Sequence, residues 1–184
     1  MPPVPAGSAP PGPAGSAPSG SRTGEDQLAY VAAARARAHL LYEGAIVPHR
    51  SCGVALAETF GLPTGSYQAL RRGGITGEGS CGSIAAGVLV LGEILGDPSP
   101  TGPVTPELRE AVTRYRGLLA ARVDRPADLS CNLRTAALGP FTGLERHGYC
   151  TSLTATVAEI IAAVLWDLGR APALAPVPPD SESP

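Results

Sequence analysis

Lysine is absent from this chain of 184 residues, and all 14 basic side chains are arginine. A GC-rich genome produces the same bias, so it carries no functional weight. Aromatics are scarce: two Phe and one Trp stand beside five Tyr. With a formal net charge of −2 and no basic run, the chain lacks both the stacking platforms and the positive stripe of a nucleic-acid binder. Long apolar runs are missing as well. The most apolar stretches, 84–95 and 157–166, fall short of the roughly 20 residues that span a bilayer, and the second contains Glu159. Pro and Gly interrupt the N-terminal segment throughout, which removes the continuous apolar stretch of a secretory signal. The expectation is a cytoplasmic protein with no membrane span. No GxxxxGK[ST], CxxCH or GxSxG motif occurs, nor does a paired-carboxylate motif or a CxxC, so the common enzyme classes have no foothold.

Proline is concentrated at the ends. Seven of the 20 prolines fall in residues 1–24 and five in 171–184, among Ala, Gly, Ser and a few acids. Such segments bury too little apolar surface to offset an ordering entropy of roughly 1–2 kcal/mol per residue, and they are expected to be disordered tails. The stretch 25–170 carries the hydrophobic periodicity and forms one domain.

Within it the fold class reads as all-α, a compact bundle of five to six helices. Leu28, Val31, Arg35, Ala38, Leu41 and Tyr42 follow a helical period over 26–43, and Thr23 with Asp26 resembles a capping box before them. Ser51 precedes a short helix, 52–60, which Gly61 and Pro63 end. Gly73, Gly74, Gly77 and Gly79 precede Cys81 in a loop suited to positive φ and close backbone approach. The run 84–95 is apolar on nearly every face, as expected of a central helix. Thr105-Pro106 caps a long helix whose apolar face is Leu108, Val112, Tyr115, Leu119 and Val123. A short helix is expected at 131–138, then a loop with Gly139, Pro140, Gly143 and Gly148. The last helix is marked by Leu153, Val157, Ile160, Ile161, Val164, Leu165 and Leu168, and stopped by Gly169.

The chemistry rests on four cysteines. Cys52, Cys81, Cys131 and Cys150 leave 28, 49 and 18 residues between successive members, which matches no zinc-ribbon spacing. Cys52, Cys81 and Cys131 each follow a serine, a favoured N-cap, so each is expected at the first position of a helix. Cys150 is expected near the start of the last helix. Free N–H groups and the positive end of the helix dipole favour a thiolate there and lower the thiol pKa. Arg50, Arg134 and Arg146 lie close enough in sequence to balance thiolate or cluster charge. Gly79, Gly82 and Arg134 are the expected contacts to a bound group. His49 and His147 each stand three residues before a cysteine and offer imidazole as ligand or base, although loop histidines are ordinarily just solvated. Glu78 could accept a thiol proton, and it too reads as an ordinary loop carboxylate.

The segments SCGVALAETFGL and GGITGEGSCGSIAAGVLVLG, followed by one cysteine before and one after a variable loop, resemble the redox-active family called C_GCAxxG_C_C. The resemblance covers most of residues 30–167 and places all four cysteines at the family's cysteine positions. Where the family motif reads Cys-Gly-Ala-x-x-Gly, this chain has Cys81-Gly82-Ser83-Ile84-Ala85-Ala86, with glycine one place later at Gly87 and a second at Gly92. The resemblance implies redox activity and names no substrate.

These observations support a redox centre of four cysteines, acting as iron–sulfur ligands or as a thiol/disulfide pair serving a redox partner protein or a larger oxidoreductase. The alternatives are a structural zinc protein, or a non-catalytic interaction or accessory module whose cysteines only fill the core. The apolar 84–95 helix also leaves room for a homodimer.

Overall fold

The computed structural model describes residues 23–125 and 130–176. Most of the expected disordered tails, 1–22 and 177–184, lies outside the described residues. The inner edges of those tails are ordered: Thr23 and Gly24 open the first helix, Pro172 accepts a hydrogen bond from the Tyr30 hydroxyl at 3.0 Å, and Leu174 packs on the core.

Among the described residues six α-helices follow in order: α1 (Gly24–Glu43), α2 (Cys52–Thr59), α3 (Gly82–Leu95), α4 (Pro106–Arg122), α5 (Cys131–Thr135) and α6 (Leu144–Asp167). A 3-10 turn, Ser66–Leu70, lies between α2 and α3. Among the described residues there is no strand, only one isolated antiparallel bridge between Ser80 and Ser130. The fold is the expected all-α bundle.

Local chemistry sets the helix ends. The Thr23 hydroxyl accepts from the Asp26 N–H while the Asp26 carboxylate accepts from the Thr23 N–H, which satisfies two donors at the start of α1. Thr105 serves two helices at once: its hydroxyl accepts from the Leu108 N–H to cap α4 and donates to the Leu95 carbonyl at 2.6 Å, tying down the end of α3. The buried stripe of α1 is Ala34, Arg37, Ala38 and Leu41, rotated from the sequence expectation so that Leu28 is 72% exposed. Small alanines there let α1 lie close along α6.

Helix α6 is the axis, and α1, α2, α3 and α4 all pack against it. Val157, Ile160, Ile161, Val164 and Leu165 are its buried face, each side chain contributing about 1.5–3 kcal/mol by leaving water. At 24 residues α6 is long and apolar enough to cross a membrane by length and composition, but most of that stretch is buried within the bundle. It begins at Leu144, well before the expected start. Gly143 serves as its N-cap residue, and Gly148, expected in a loop, lies inside it. Between α3 and α4 the Tyr115 ring sits against Gly87 and donates to the Ile84 carbonyl at 2.8 Å, and a Cβ at position 87 would stand 2.1 Å from its hydroxyl. Gly87 therefore has a packing role.

Candidate functional site

At one end of the bundle the starts of α2, α3 and α5, together with the second turn of α6, border a cavity of about 570 Å³. Cys52, Cys81, Cys131 and Cys150 all line it, and all four are free thiols. Residues separated by as much as 98 positions in sequence thus line one cavity.

Each cysteine reaches the cavity by a different local device. Cys52 is the first residue of α2. Its sulfur rests on Gly82, where a Cβ would come within 2.4 Å of both that sulfur and the Leu70 carbonyl oxygen, so only glycine admits this approach. Cys81 is the N-cap residue of α3 and not, as expected, its first helical residue. Cys131 opens α5 and hangs on the glycine loop: its N–H donates to the Gly79 carbonyl at 2.9 Å, and the next N–H, of Asn132, donates to Gly77 at 2.8 Å. Gly79 does not line the cavity, and its part is to hold Cys131. None of Ser51, Ser80 and Ser130 caps a helix through its side chain in the expected way: Ser51 and Ser130 occupy the N-cap position without a side-chain hydrogen bond, and Ser80 precedes the N-cap. Cys150 lies in the second turn of α6, away from that helix's free N–H groups.

The electrostatics correct a second expectation. Helix starts were expected to lower the thiol pKa values, but burial outweighs them. Burial pushes Cys52 up to about 12, with repulsion from Cys81 next in size and the Gly53 N–H opposing. Cys81 is raised by burial although the N–H groups of Ile84 and Ser83 point at its sulfur. Cys150 is lifted by burial to about 11 against a hydrogen bond from the Tyr42 hydroxyl, with Cys81 and Cys131 adding repulsion. Desolvation costs more than a few amide dipoles return. Cys52, Cys81 and Cys150 are therefore protonated at neutral pH.

Arg134, the expected charge partner, is fully buried at the cavity. It donates to the carbonyls of Asp124 and Arg125 at 2.7 Å and to the Tyr149 hydroxyl at 3.0 Å, and it lies 3.4 Å from the Asp124 carboxylate. Arg146 is buried too, with Nη2 3.7 Å from the Cys131 sulfur and its guanidinium over the Phe141 ring. Arg50 turns away to Glu58 and the Pro48 carbonyl. Glu78 is exposed and does not line the cavity. His49 and His147 do line it, but their contacts are structural. His49 Nδ1 bonds the Tyr42 carbonyl, His147 Nε2 bonds the Glu43 carbonyl at 3.0 Å, and the two rings stand 5.6 Å apart beside Tyr42.

Sequence reasoning missed Tyr42, Tyr149, Arg71, Arg72 and Phe141, all of which line the cavity. Tyr42 and Cys150 meet across more than one hundred residues, which no local pattern reveals. Part of the loop was legible: its glycine density predicted positive φ, found at Gly73, Gly74 and Gly77. The left-handed run also takes in Arg72 at φ 49° and Ile75 at φ 73°, where a β-branched side chain is rare. It closes with the Ile75 N–H on the Arg71 carbonyl at 2.7 Å. Non-glycine residues held this way cost about 1–3 kcal/mol each and concentrate at functional sites.

Among the described residues no three His, Cys, Asp or Glu side chains are grouped so that they could hold one metal ion. Comparison with protein-family models, with curated proteins and with solved structures finds no match to this chain.

Proposed function

We propose that this chain is a redox protein in which Cys52, Cys81, Cys131 and Cys150 ligate an iron–sulfur cluster that exchanges electrons with a partner protein or a larger oxidoreductase in the cytoplasm. The observation that carries the reading is the meeting of four free cysteines, from four separate helices, on the wall of one cavity. Thiolate sulfur is the natural ligand of such clusters. Among the described residues no three potential ligands are grouped to hold one metal ion, which weighs against the structural zinc alternative. The bound group would supply one-electron storage.

The chain's own residues would contribute the rest. Arg134 and Arg146 place positive charge beside thiolates whose mutual repulsion is otherwise unfavourable. The N–H groups of Gly53, Ser83 and Ile84 and the Tyr42 hydroxyl point at sulfur, and such hydrogen bonds tune a cluster's potential. Gly82 keeps the space beside Cys52 clear. Membership of the C_GCAxxG_C_C family is part of the same proposal.

The second reading, thiol/disulfide exchange, draws on the four free thiols. It is the weaker, because the thiolate is the nucleophile and thiols pushed to about 11 and 12 supply little of it at neutral pH. Protein purified without oxygen tests the choice. A brown protein with a charge-transfer absorption band and a paramagnetic resonance signal on one-electron change is expected. Colourless, iron-free protein that forms a reversible intramolecular disulfide would replace the cluster with the exchange reading.

A further inference from the structure

The cavity has two levels. Cys81, Gly82, Cys131 and Arg134 are buried at its floor, while Arg71, Arg72, Ile75, Phe141 and Thr142 are exposed at its rim. Arg146 lies between, buried, touching the Cys131 sulfur on one side and Phe141 on the other. Among the described residues no carboxylate lines either level, although four arginines and two histidines do.

Several arginines away from the cavity are matched with acid: Arg35 and Arg122 share Glu159, Arg50 meets Glu58, and Arg114 meets Glu110 and Asp167, while among the described residues Arg37, Arg109, Arg116 and Arg170 form no salt bridge. Among the described residues, Arg71, Arg72 and Arg146 form no salt bridge. The Arg71 guanidinium reaches only the Gln68 amide oxygen, at 3.3 Å. Arg72 and Arg146 both lie against the Phe141 ring, their guanidinium carbons 4.6 and 4.8 Å from its centroid. The left-handed turn at 72–75, closed by the bond from the Ile75 N–H to the Arg71 carbonyl, holds Arg72 at that position. The strain of that turn is thus spent on bringing a second cation to a place that already has one.

We infer that the rim of the cavity binds a small oxyanion, a carboxylate, phosphate or sulfur oxyanion, between Arg72 and Arg146 and above the cysteines. A guanidinium fork matches planar and tetrahedral oxyanions through paired N–H donors, and two forks braced on one aromatic ring are preorganised. Burial makes the charge on Arg146 costly without a counter-ion and strengthens its attraction for one. A cavity of about 570 Å³ is of the size that takes a small molecule. The bound anion would meet the redox centre through Arg146, which contacts both. The inference needs only the cavity and its arginines, and it stands whether or not the cysteines carry a cluster.

The test is calorimetric titration of the full-length reduced protein, as isolated without oxygen, with sodium sulfate and with inorganic phosphate at ionic strength fixed by chloride. Saturable binding of one anion per chain is expected. Arg72→Gln, an exposed change that spares the core, should weaken it roughly tenfold or more, the worth of one charge-assisted hydrogen bond. Arg146→Gln should weaken it at least as much, while Arg109→Gln, on α4, should leave it unchanged. No saturable binding of either anion overturns the inference, as does equal weakening by Arg109→Gln. Binding of polyglutamate where sulfate and phosphate fail also overturns it, because the rim would then serve an acidic protein surface. Iron assayed on the same sample separates the two readings: anion binding without iron leaves this inference standing, and iron without anion binding refutes it alone.

Discussion

Arg134 and Arg37 are both buried, one at the cavity and one in the body of the bundle, yet their surroundings differ. Arg134 has two backbone carbonyls, a tyrosine hydroxyl and a carboxylate around it. Arg37, between α1 and its neighbours, leaves Nε and Nη1 with no partner, and burial lowers its pKa with only the charge of Glu58 opposing. The body of the bundle, where the apolar core is largest, carries this unsatisfied cation. At the cavity end Arg134 is satisfied group by group, although the buried Ser51 hydroxyl there has no partner among the described residues. Helix α3 shows the same division along its own length. Gly82 at the cavity is hemmed in by sulfur and carbonyl, whereas a Cβ at Gly92 would meet nothing within 4 Å.

Substitutions can break that contrast, beginning with the strongest. Arg134→Ala should destabilise the fold by about 2–5 kcal/mol, since it empties a fully buried site and leaves two carbonyls without their donor, and denaturant unfolding would read it. Gly82→Ala should cost about 1–3 kcal/mol by overpacking and displace Cys52, so iron content should fall along with the midpoint. Arg37→Met should act in the opposite direction, stabilising by about 1–2 kcal/mol, because an unpaired buried cation is replaced by a side chain of similar length. Gly92→Ala should stabilise by about 0.5–1 kcal/mol through helix propensity alone. Should Arg37→Met destabilise, or Gly82→Ala prove as benign as Gly92→Ala, the division between the two regions is wrong.

The thiols sharpen the comparison through pH. In the metal-free reduced protein the folded pKa values of Cys52 and Cys150, about 12 and 11, lie above the ordinary value of 9.0. The folded state therefore favours the protonated thiols. Their contribution is fully present below about pH 9 and is lost as pH rises through 11 and 12. Between pH 6 and 8 these groups should leave stability unchanged, and their alkylation by iodoacetamide at pH 8 should run well behind that of a free cysteine.

What was legible in the sequence follows from how local each signal is. The Thr23–Asp26 box, Thr105-Pro106 and the apolar run of α3 are contained within a few residues, and the structure has them where the pattern puts them. The start of α6 was misplaced because Gly143 and Gly148 read as breakers, while the tertiary contacts of Arg146 and His147 carry the helix through them. The four cysteines were legible as a set, and their meeting at one cavity is a tertiary fact. Their pKa direction was misread because the dipole of a helix start is visible in sequence and burial is not. Phe141 gave no signal at all, since an aromatic in a glycine-rich loop acquires its role only from the two arginines that reach it from 72 and 146.

The central claim is that these separate helices build one centre from four sulfurs. Iron and acid-labile sulfide should be counted per chain, without oxygen, in the natural protein and in Cys52→Ser, Cys81→Ser, Cys131→Ser and Cys150→Ser, with circular dichroism confirming that each is folded. The account predicts a stoichiometric cluster in the natural protein and a large loss of it in every one of the four. A natural protein free of iron and sulfide, or a cluster that survives the replacements undiminished, would contradict it.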